Sequence, residues 1–257
     1  MIITTSGRPN EYCYKVAKEI ASIIDGTFVE RKKRSVSSIQ KLYNESVLVI
    51  GKERFELYHR EDPTPLFFHP NTASFRVKRL VRGEDDPFVQ ATNLKKGMTF
   101  LDATLGLASD SIVASYLVGD EGTVIGVEEN KLLALLVEKG LKMWNSEDTF
   151  LIKAMGNIQV VTANHYDYLK TLEDNSIDVI YFDPMFESEI EESNGIRGIK
   201  SIATYDTITI ETIKEAMRVV RERVVIKDHF KSARMDELGF TRIVRKTSLF
   251  HYGVMIK

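Results

Sequence analysis

Thr99-Phe100-Leu101-Asp102-Ala103-Thr104-Leu105-Gly106-Leu107-Ala108-Ser109-Asp110 is the stretch on which the fold turns. An apolar strand, Thr99–Ala103, runs into a loop with a single glycine, and the loop feeds an apolar-faced helix at Ile112–Val118. The same alternation repeats toward the C-terminus. Val124–Val127, Ile158–Ala163, Val179–Phe182 and Val224–Lys227 read as strands. Between them lie helical segments at Lys131–Trp144, Tyr166–Leu172 and Ile210–Arg223, the first with Leu132, Leu135, Leu136, Lys139 and Met143 stacked around its turns. Phe240–Arg245 and Phe250–Ile256 close the chain as a hairpin. Five βα units plus a hairpin predict a doubly wound α/β sheet, mostly parallel with an antiparallel edge. Strands buried on both faces should be continuously apolar, and these are.

Toward the N-terminus the pattern is shorter. Ile2–Thr5 is a β-branched run, Ser6-Gly7-Arg8-Pro9 a turn, and a helix capped by Asn10 ends at Gly26. Thr27–Glu30 reads as a strand, Arg31-Lys32-Lys33-Arg34 follows, and Ser35 caps a short helix from Val36. Val47–Ile50 and Phe55–Tyr58 flank Gly51-Lys52-Glu53-Arg54 as a hairpin. Residues 1–62 are therefore expected to form a small α/β domain. Asp62-Pro63-Thr64-Pro65 opens a linker and lead-in helix over 63–94, and 95–257 carry the main domain.

Of the 257 residues, 43% are hydrophobic and 28% charged, enough apolar material for a core. No apolar run approaches the roughly 18 residues of a membrane span. The lone Cys13 excludes an internal disulfide framework. The first residues are polar where a signal peptide needs an apolar segment, so a cytoplasmic location is expected. The net charge of -2 hides an offset: residues 1–96 carry 17 Lys and Arg against 12 Asp and Glu, the remainder 18 against 25. A basic front suits a polyanionic partner, although surface charge can be uneven by chance.

In doubly wound folds the ligand lies beyond the carboxyl ends of the strands. A dinucleotide binder wants three spaced glycines after its first strand, whereas here only Gly106 is present beside Asp102 and Asp110. Carboxylates there suit a cationic ligand with an amino-acid tail, such as S-adenosylmethionine, better than a pyrophosphate. Helix capping by Asp110 and a strand-end role for Asp102 are the plainer alternatives. Glu128, with Glu129, ends the second strand where a carboxylate commonly accepts from a ribose diol. Asn164 and His165 follow the third strand; the amide could read an adenine edge or cap a helix.

After the fourth strand comes Tyr181-Phe182-Asp183-Pro184-Met185-Phe186, which resembles the Asp/Asn/Ser-Pro-Pro-aromatic motif of methyltransferases acting on exocyclic base amines. An aryl amine is a poor nucleophile because its lone pair is delocalised into the ring. The Asp183 carboxylate and the Pro184 carbonyl could accept its two N–H bonds and turn that lone pair toward the methyl group. Phe186 could stack on an extruded base, the alternative being a buried aromatic in a strand-end turn.

From about Phe67 onward the chain resembles the RsmJ-type class I methyltransferases, which modify guanine N2 in small-subunit ribosomal RNA. The resemblance rests on Leu101–Asp110, the Glu128 strand end and Tyr181–Phe186. It implies a seven-stranded Rossmann-like sheet, S-adenosylmethionine as donor with S-adenosylhomocysteine as product, and Ser109, Asp110, Glu128, Glu129, Asn164, His165 and Asp183 around that donor. Asp102, Thr104 and Gly106 of the loop complete the expected donor site, and Asp183, Pro184 and Phe186 the catalytic one. That family has glycine and arginine at Ala108 and Ser109 and proline at Glu187. The implied partner is ribosomal RNA or the small ribosomal subunit, with no membrane. The same donor with tRNA, DNA or protein as acceptor, or a catalytically silent nucleoside-binding module, are the other readings.

Arg31–Arg34 and the series Arg76, Lys78, Arg79, Arg82 are expected to grip RNA phosphates, the second series being alternatively the solvated face of a helix. The five histidines show no pair at metal-ligand spacing, so no metal is expected. Asp228-His229 could line the pocket but reads better as a capped helix start, and His251-Tyr252-Gly253 reads as sheet. Residues 187–204 are too long for a plain connection and read as a lid beside the substrate or as a disordered insertion.

Overall fold

Thr99–Asp102 forms a strand in the middle of a seven-stranded sheet, where its continuous apolar run places it. The computed structural model describes residues 1–62, 64–184, 208–246 and 248–257. Phe186 and the lid expected at 187–204 lie outside these residues.

In chain order the described elements begin with β1 (Ile2–Thr5), α1 (Glu11–Ile23), β2 (Thr27–Phe28), α2 (Val36–Tyr43), β3 (Val47–Ile50) and β4 (Phe55–Tyr58). They continue with α3 (Asn71–Val81), α4 (Pro87–Thr92), β5 (Thr99–Asp102), α5 (Ser109–Val118), β6 (Thr123–Glu128) and α6 (Lys131–Met143). Then come α7 (Thr149–Gly156), β7 (Ile158–Thr162), α8 (His165–Thr171), β8 (Ile177–Phe182), α9 (Ile210–Val219), β9 (Val220–His229), α10 (Arg234–Glu237), β10 (Thr241–Ile243) and β11 (Phe250–Ile256).

Two compact units result, one of residues 1–69 with 131–144, the other of 70–130 with 145–184 and 208–257. The grouping cuts the sequence differently from the expected 1–62, 63–94 and 95–257. Helix α6 falls in the small unit because Gly140 brings its backbone onto the segment after β4: a Cβ there would stand 2.2 Å from Phe68 Cγ. Trp144 then meets Phe68 edge-on, with ring centroids 6.2 Å apart. Helix α3 belongs to the large unit, where it packs on α5.

The small sheet has the order β2-β1-β3-β4, with β1 parallel to both neighbours and β4 antiparallel to β3. The large sheet runs β10-β11-β9-β8-β5-β6-β7. Only β11 opposes the others, inserted between β9 and β10, so the expected terminal hairpin supplies the antiparallel edge. Leu101, Ile180, Phe182, Val224 and Ile226 build the core on this sheet with Ile213, Ala216 and Val219 of α9. The fifth strand starts earlier than its apolar run suggests, at Val220 rather than Val224. Pairing with β11 back to Arg223 captures residues whose spacing alone fits a helix. Helix α7 is not among the expected helices; Asp148 caps it, and Leu151, Ala154 and Met155 bury its inner face. Among the described residues no helix is long and apolar enough to cross a membrane.

Candidate active site

Strand order reverses at β5, which has β6 on one side and β8 on the other, so the crevice beyond their carboxyl ends is where a ligand is expected. Four strand ends supply the side chains there. Asp102 ends β5, fully buried, and accepts from Ser111 Oγ at 2.6 Å and from the Thr104 amide at 3.2 Å. Burial pushes its carboxyl up to about 7, against the pull of the Ser111 bond. Thr104 Oγ1 accepts from the Asp183 amide at 2.6 Å and so ties the loop after β5 to the end of β8.

The loop itself turns on two left-handed residues, Gly106 (φ +50°) and Ala108 (φ +61°). Glycine adopts that conformation freely, and alanine does so at a cost of about 1–2 kcal/mol. The Gly106 amide donates to Glu128 Oε2 at 3.2 Å, and the Asn130 amide to Glu128 Oε1 at 2.9 Å. Glu128 is thereby fixed at the end of β6, with burial raising its pKa. Ser109 opens α5.

Asn164 caps α8, accepting from the Tyr166 and Asp167 amides, and its Nδ2 reaches Glu129 Oε1 at 3.4 Å. Capping and bridging thus coexist, and the ends of β6 and β7 are joined. His165 is buried, its ring edge-on to Phe182 at 5.9 Å.

Beneath the crevice lies a chain of buried charges. Arg76 of α3 bonds both oxygens of Asp86, at 2.8 and 3.1 Å, and also Asp110. Asp110 accepts from the Tyr181 hydroxyl at 2.8 Å and lies 3.6 Å from Lys227 Nζ. Lys227 in turn donates to Asp183 Oδ2 at 2.6 Å. Burial alone would raise Asp110, but Lys227 and Arg76 outweigh it and hold the group well below the usual carboxylate range. Asp183 goes the other way. Burial raises it to about 6, Lys227 opposing and Asp110 assisting. Burial would lower Lys227, yet Asp183 and Asp110 keep it firmly protonated.

The structure brings Asp102, Thr104, Gly106, Glu128 and Asp183 to one crevice through direct bonds. Asp110 is engaged by the protein's own cations, and Pro184 is buried beside Asp183. Phe186 lies outside the described residues. Arg76 is corrected: its side chain is 16% exposed and committed to two carboxylates, because the α3 face bearing it packs on α5. Arg79 pairs with Glu84 at 2.7 Å. Lys227, Tyr181, Arg76 and Asp86 are the members that sequence reasoning did not assemble. One signal was present: a lysine ending the otherwise apolar run Val224-Val225-Ile226. Among the described residues no group of His, Cys, Asp and Glu could hold a metal ion.

Residues 33–248 match a family model described as "Putative SAM-dependent methyltransferase". The chain is 46% identical over 254 residues, 99% of its length and 98% of the relative's, to the protein YpiP of Bacillus subtilis (strain 168). It is also 33% identical over 126 residues to ribosomal RNA small subunit methyltransferase J of Acinetobacter baumannii (strain SDF). That match covers 47% of this chain and 43% of that protein. Among solved structures, the SAM-dependent methyltransferase NGO1261 of Neisseria gonorrhoeae shares the fold, with a TM-score of 0.65 at 17% identity over 100% of this chain and 96% of that one. With a doubly wound sheet, a one-glycine loop clasped by Glu128 and a family match over most of its length, the chain belongs to the SAM-dependent methyltransferases, and S-adenosylmethionine is its cofactor.

Proposed function

We propose that the protein methylates an exocyclic base amine, guanine N2 of small-subunit ribosomal RNA. The observation that carries the reading is the half-engaged carboxylate of Asp183 at the switch point. Lys227 occupies Oδ2, while Oδ1 has no protein donor among the described residues. A carboxylate so divided is fixed in place and keeps lone pairs for one amine N–H; the Pro184 carbonyl is the second acceptor. The partial likeness to ribosomal RNA small subunit methyltransferase J supports the choice of acceptor.

The residues present fit the cofactor. Glu128, held by two backbone amides, keeps outward lone pairs for a ribose diol, and the open backbone at Gly106 admits close approach. When bound, S-adenosylmethionine supplies a methyl group activated by its sulfonium sulfur. Everything else is positioning by the chain. Asp183 and Pro184 turn the amine lone pair into line, and alignment of this kind lowers barriers by several kcal/mol, up to about 7–11 in the best cases. The nitrogen becomes acidic once methylated, so no strong base is needed. Asp183, near 6, is a fitting acceptor for the released proton.

The small unit contributes a phosphate-binding edge. Loops following β1, β2 and β3 converge at one end of its sheet, since Thr5 pairs with Ile50 and Arg31 Nη1 bonds the Thr5 carbonyl at 3.3 Å. Arg8, Lys32, Lys33 and Lys52 are exposed there without an acid partner among the described residues. Arg31 and Arg34 instead bond main-chain carbonyls and brace the loop.

Nucleoside mass spectrometry of ribosomal RNA from a strain lacking the gene tests the proposal. N2-methylguanosine should be missing and should return with the wild-type gene but not with Asp183→Ala. An unchanged nucleoside profile overturns it.

A further inference from the structure

Beyond Lys227 a row of rings leads from the crevice to solvent. Lys227 Nζ, which holds Asp183, lies 5.6 Å from the Phe250 ring centroid. The His229 ring stands 6.5 Å from Phe250 and 4.7 Å from Phe230, and Phe230 lies 6.3 Å from His251. Phe230 ends the row 39% exposed, with Lys231 Nζ 5.5 Å from its centroid. Leu249 and Val244 are exposed at the same end of the sheet, since Phe250 pairs with His229 and β10 ends alongside. Lys231, Lys246 and Arg245 have no acid partner among the described residues.

The segment bearing these rings is braced on both sides. Asp228 accepts from the His229 amide at 2.7 Å and from Ser232 Oγ at 2.7 Å, and it also meets Arg234. Arg242 donates to the Phe230 carbonyl at 3.0 Å and to the Ser232 carbonyl at 2.8 Å. Two ion networks thus hold an aromatic side chain in water, which burial does not explain. The rings are tilted or edge-on to one another rather than stacked, which leaves the exposed Phe230 ring to a guest. An exposed ring with a lysine beside it is the chemistry that receives single-stranded nucleic acid: a base stacks on the π face and a phosphate meets the cation.

We propose that Phe230 and His229, with Lys231, form a stacking platform for an unpaired nucleotide of the RNA that adjoins the base held at Asp183. The proposal rests on the reading of RNA as acceptor and adds a second base subsite to it. The charges favour nucleic acid over an apolar peptide, because Lys231 beside the rings has no acid partner among the described residues.

The test uses the full chain saturated with S-adenosylhomocysteine and a short single-stranded RNA carrying one 2-aminopurine. Wild type should alter the probe's fluorescence on binding. Phe230→Ala should weaken RNA binding roughly 5- to 150-fold, the range for loss of one stacked base. Phe230→Trp should bind as wild type does, and S-adenosylhomocysteine affinity, read by calorimetry, should be equal in all three. If wild type binds the RNA and Phe230→Ala binds it equally well, the platform is refuted while RNA remains the acceptor. If wild type itself ignores RNA while binding S-adenosylhomocysteine, RNA as acceptor falls, and the platform with it. Loss of S-adenosylhomocysteine binding in Phe230→Ala would make the ring part of the fold and overturn the proposal too.

Discussion

At the carboxyl edge of the large sheet, charges are buried and paired; at the same edge of the small sheet, they are exposed and without acid partners among the described residues. Asp110 and Asp183 share Lys227 within a crevice that is mostly protein, and Arg76 closes the chain of charges from below. Arg8, Lys32, Lys33 and Lys52 face water. Most of both edges is built from parallel strands that lead into helices, Lys52 on the β3–β4 hairpin being the exception, so topology does not explain the contrast. A buried ion network is rigid, sets protonation states and is little screened by salt. An exposed cation set has no fixed geometry to defend and acts through counterion release. The first arrangement suits chemistry at one atom, the second a long polyanion.

Removing a charge from each edge gives the largest separation between them. Arg76→Met leaves Asp86 and Asp110 buried without their guanidinium and should cost about 3–5 kcal/mol in denaturant unfolding. Arg8→Gln with Lys52→Gln should leave the unfolding curve where it is. The double variant should reduce the salt dependence of RNA binding, by about 0.7 in the log–log slope for each single-strand phosphate that is no longer neutralised. A stable Arg76→Met protein, or an unchanged slope, would erase the contrast.

Proton titration sharpens it next. In the proposed reaction Asp183 must be ionised to accept the amine N–H, and burial raises it to about 6, so the methylation rate should fall as pH drops through about 6. Lys227 is the group that opposes this rise. Lys227→Met should therefore move the acid limb of the kcat/KM profile to higher pH. The sign for stability follows the same logic. A carboxyl raised above its unfolded value stabilises the fold below about 4, and that contribution is lost as pH climbs through about 6. Lys227→Met should accordingly be most destabilised in alkaline buffer. A limb that stays in place in the variant would detach Lys227 from Asp183.

The two edges were also unequally legible in the sequence. Strands β5, β6 and β8 announce themselves as apolar runs, and Asp102, Glu128 and Asp183 are polar residues at their ends, so their convergence follows from the topology alone. Lys227 meets Asp183 because β9 lies beside β8 with Ile226 opposite Phe182, a strand neighbour 44 residues away that no local pattern names. Arg76 meets Asp110, 34 residues away, across helices whose relative rotation no local pattern encodes. An amphipathic helix shows which face is buried but not against what. For that reason the Arg76 face reads as solvated, and α6 reads as part of the large domain although it packs on Phe68. Ala108 is the reverse case: the family's glycine at that position already hints at the left-handed backbone that the structure shows.

The smallest effect concerns the turn that carries two of the exposed cations. Lys32 (φ +44°) and Lys33 (φ +64°) are consecutive left-handed residues, and the Arg34 amide donates to the Arg31 carbonyl at 2.9 Å across them. This is the geometry of a type I′ turn, for which Asn-Gly is the favoured pair and lysine is not. Arg31 bonds the Thr5 and Arg34 carbonyls, and Arg34 bonds those of Glu30 and Arg31, so neighbours hold the strained pair in place. Strain maintained this way points to a use for the residues that bear it. Lys32→Asn with Lys33→Gly should relax the turn and raise stability by about 1 kcal/mol, visible as a higher Tm. RNA affinity should fall at low salt and converge with wild type at high salt, because only the grip on phosphate has gone. A gain in stability with RNA binding intact at every salt concentration would leave the two lysines as an accident of the turn, and the small sheet's exposed edge would have to grip RNA through Arg8 and Lys52 alone.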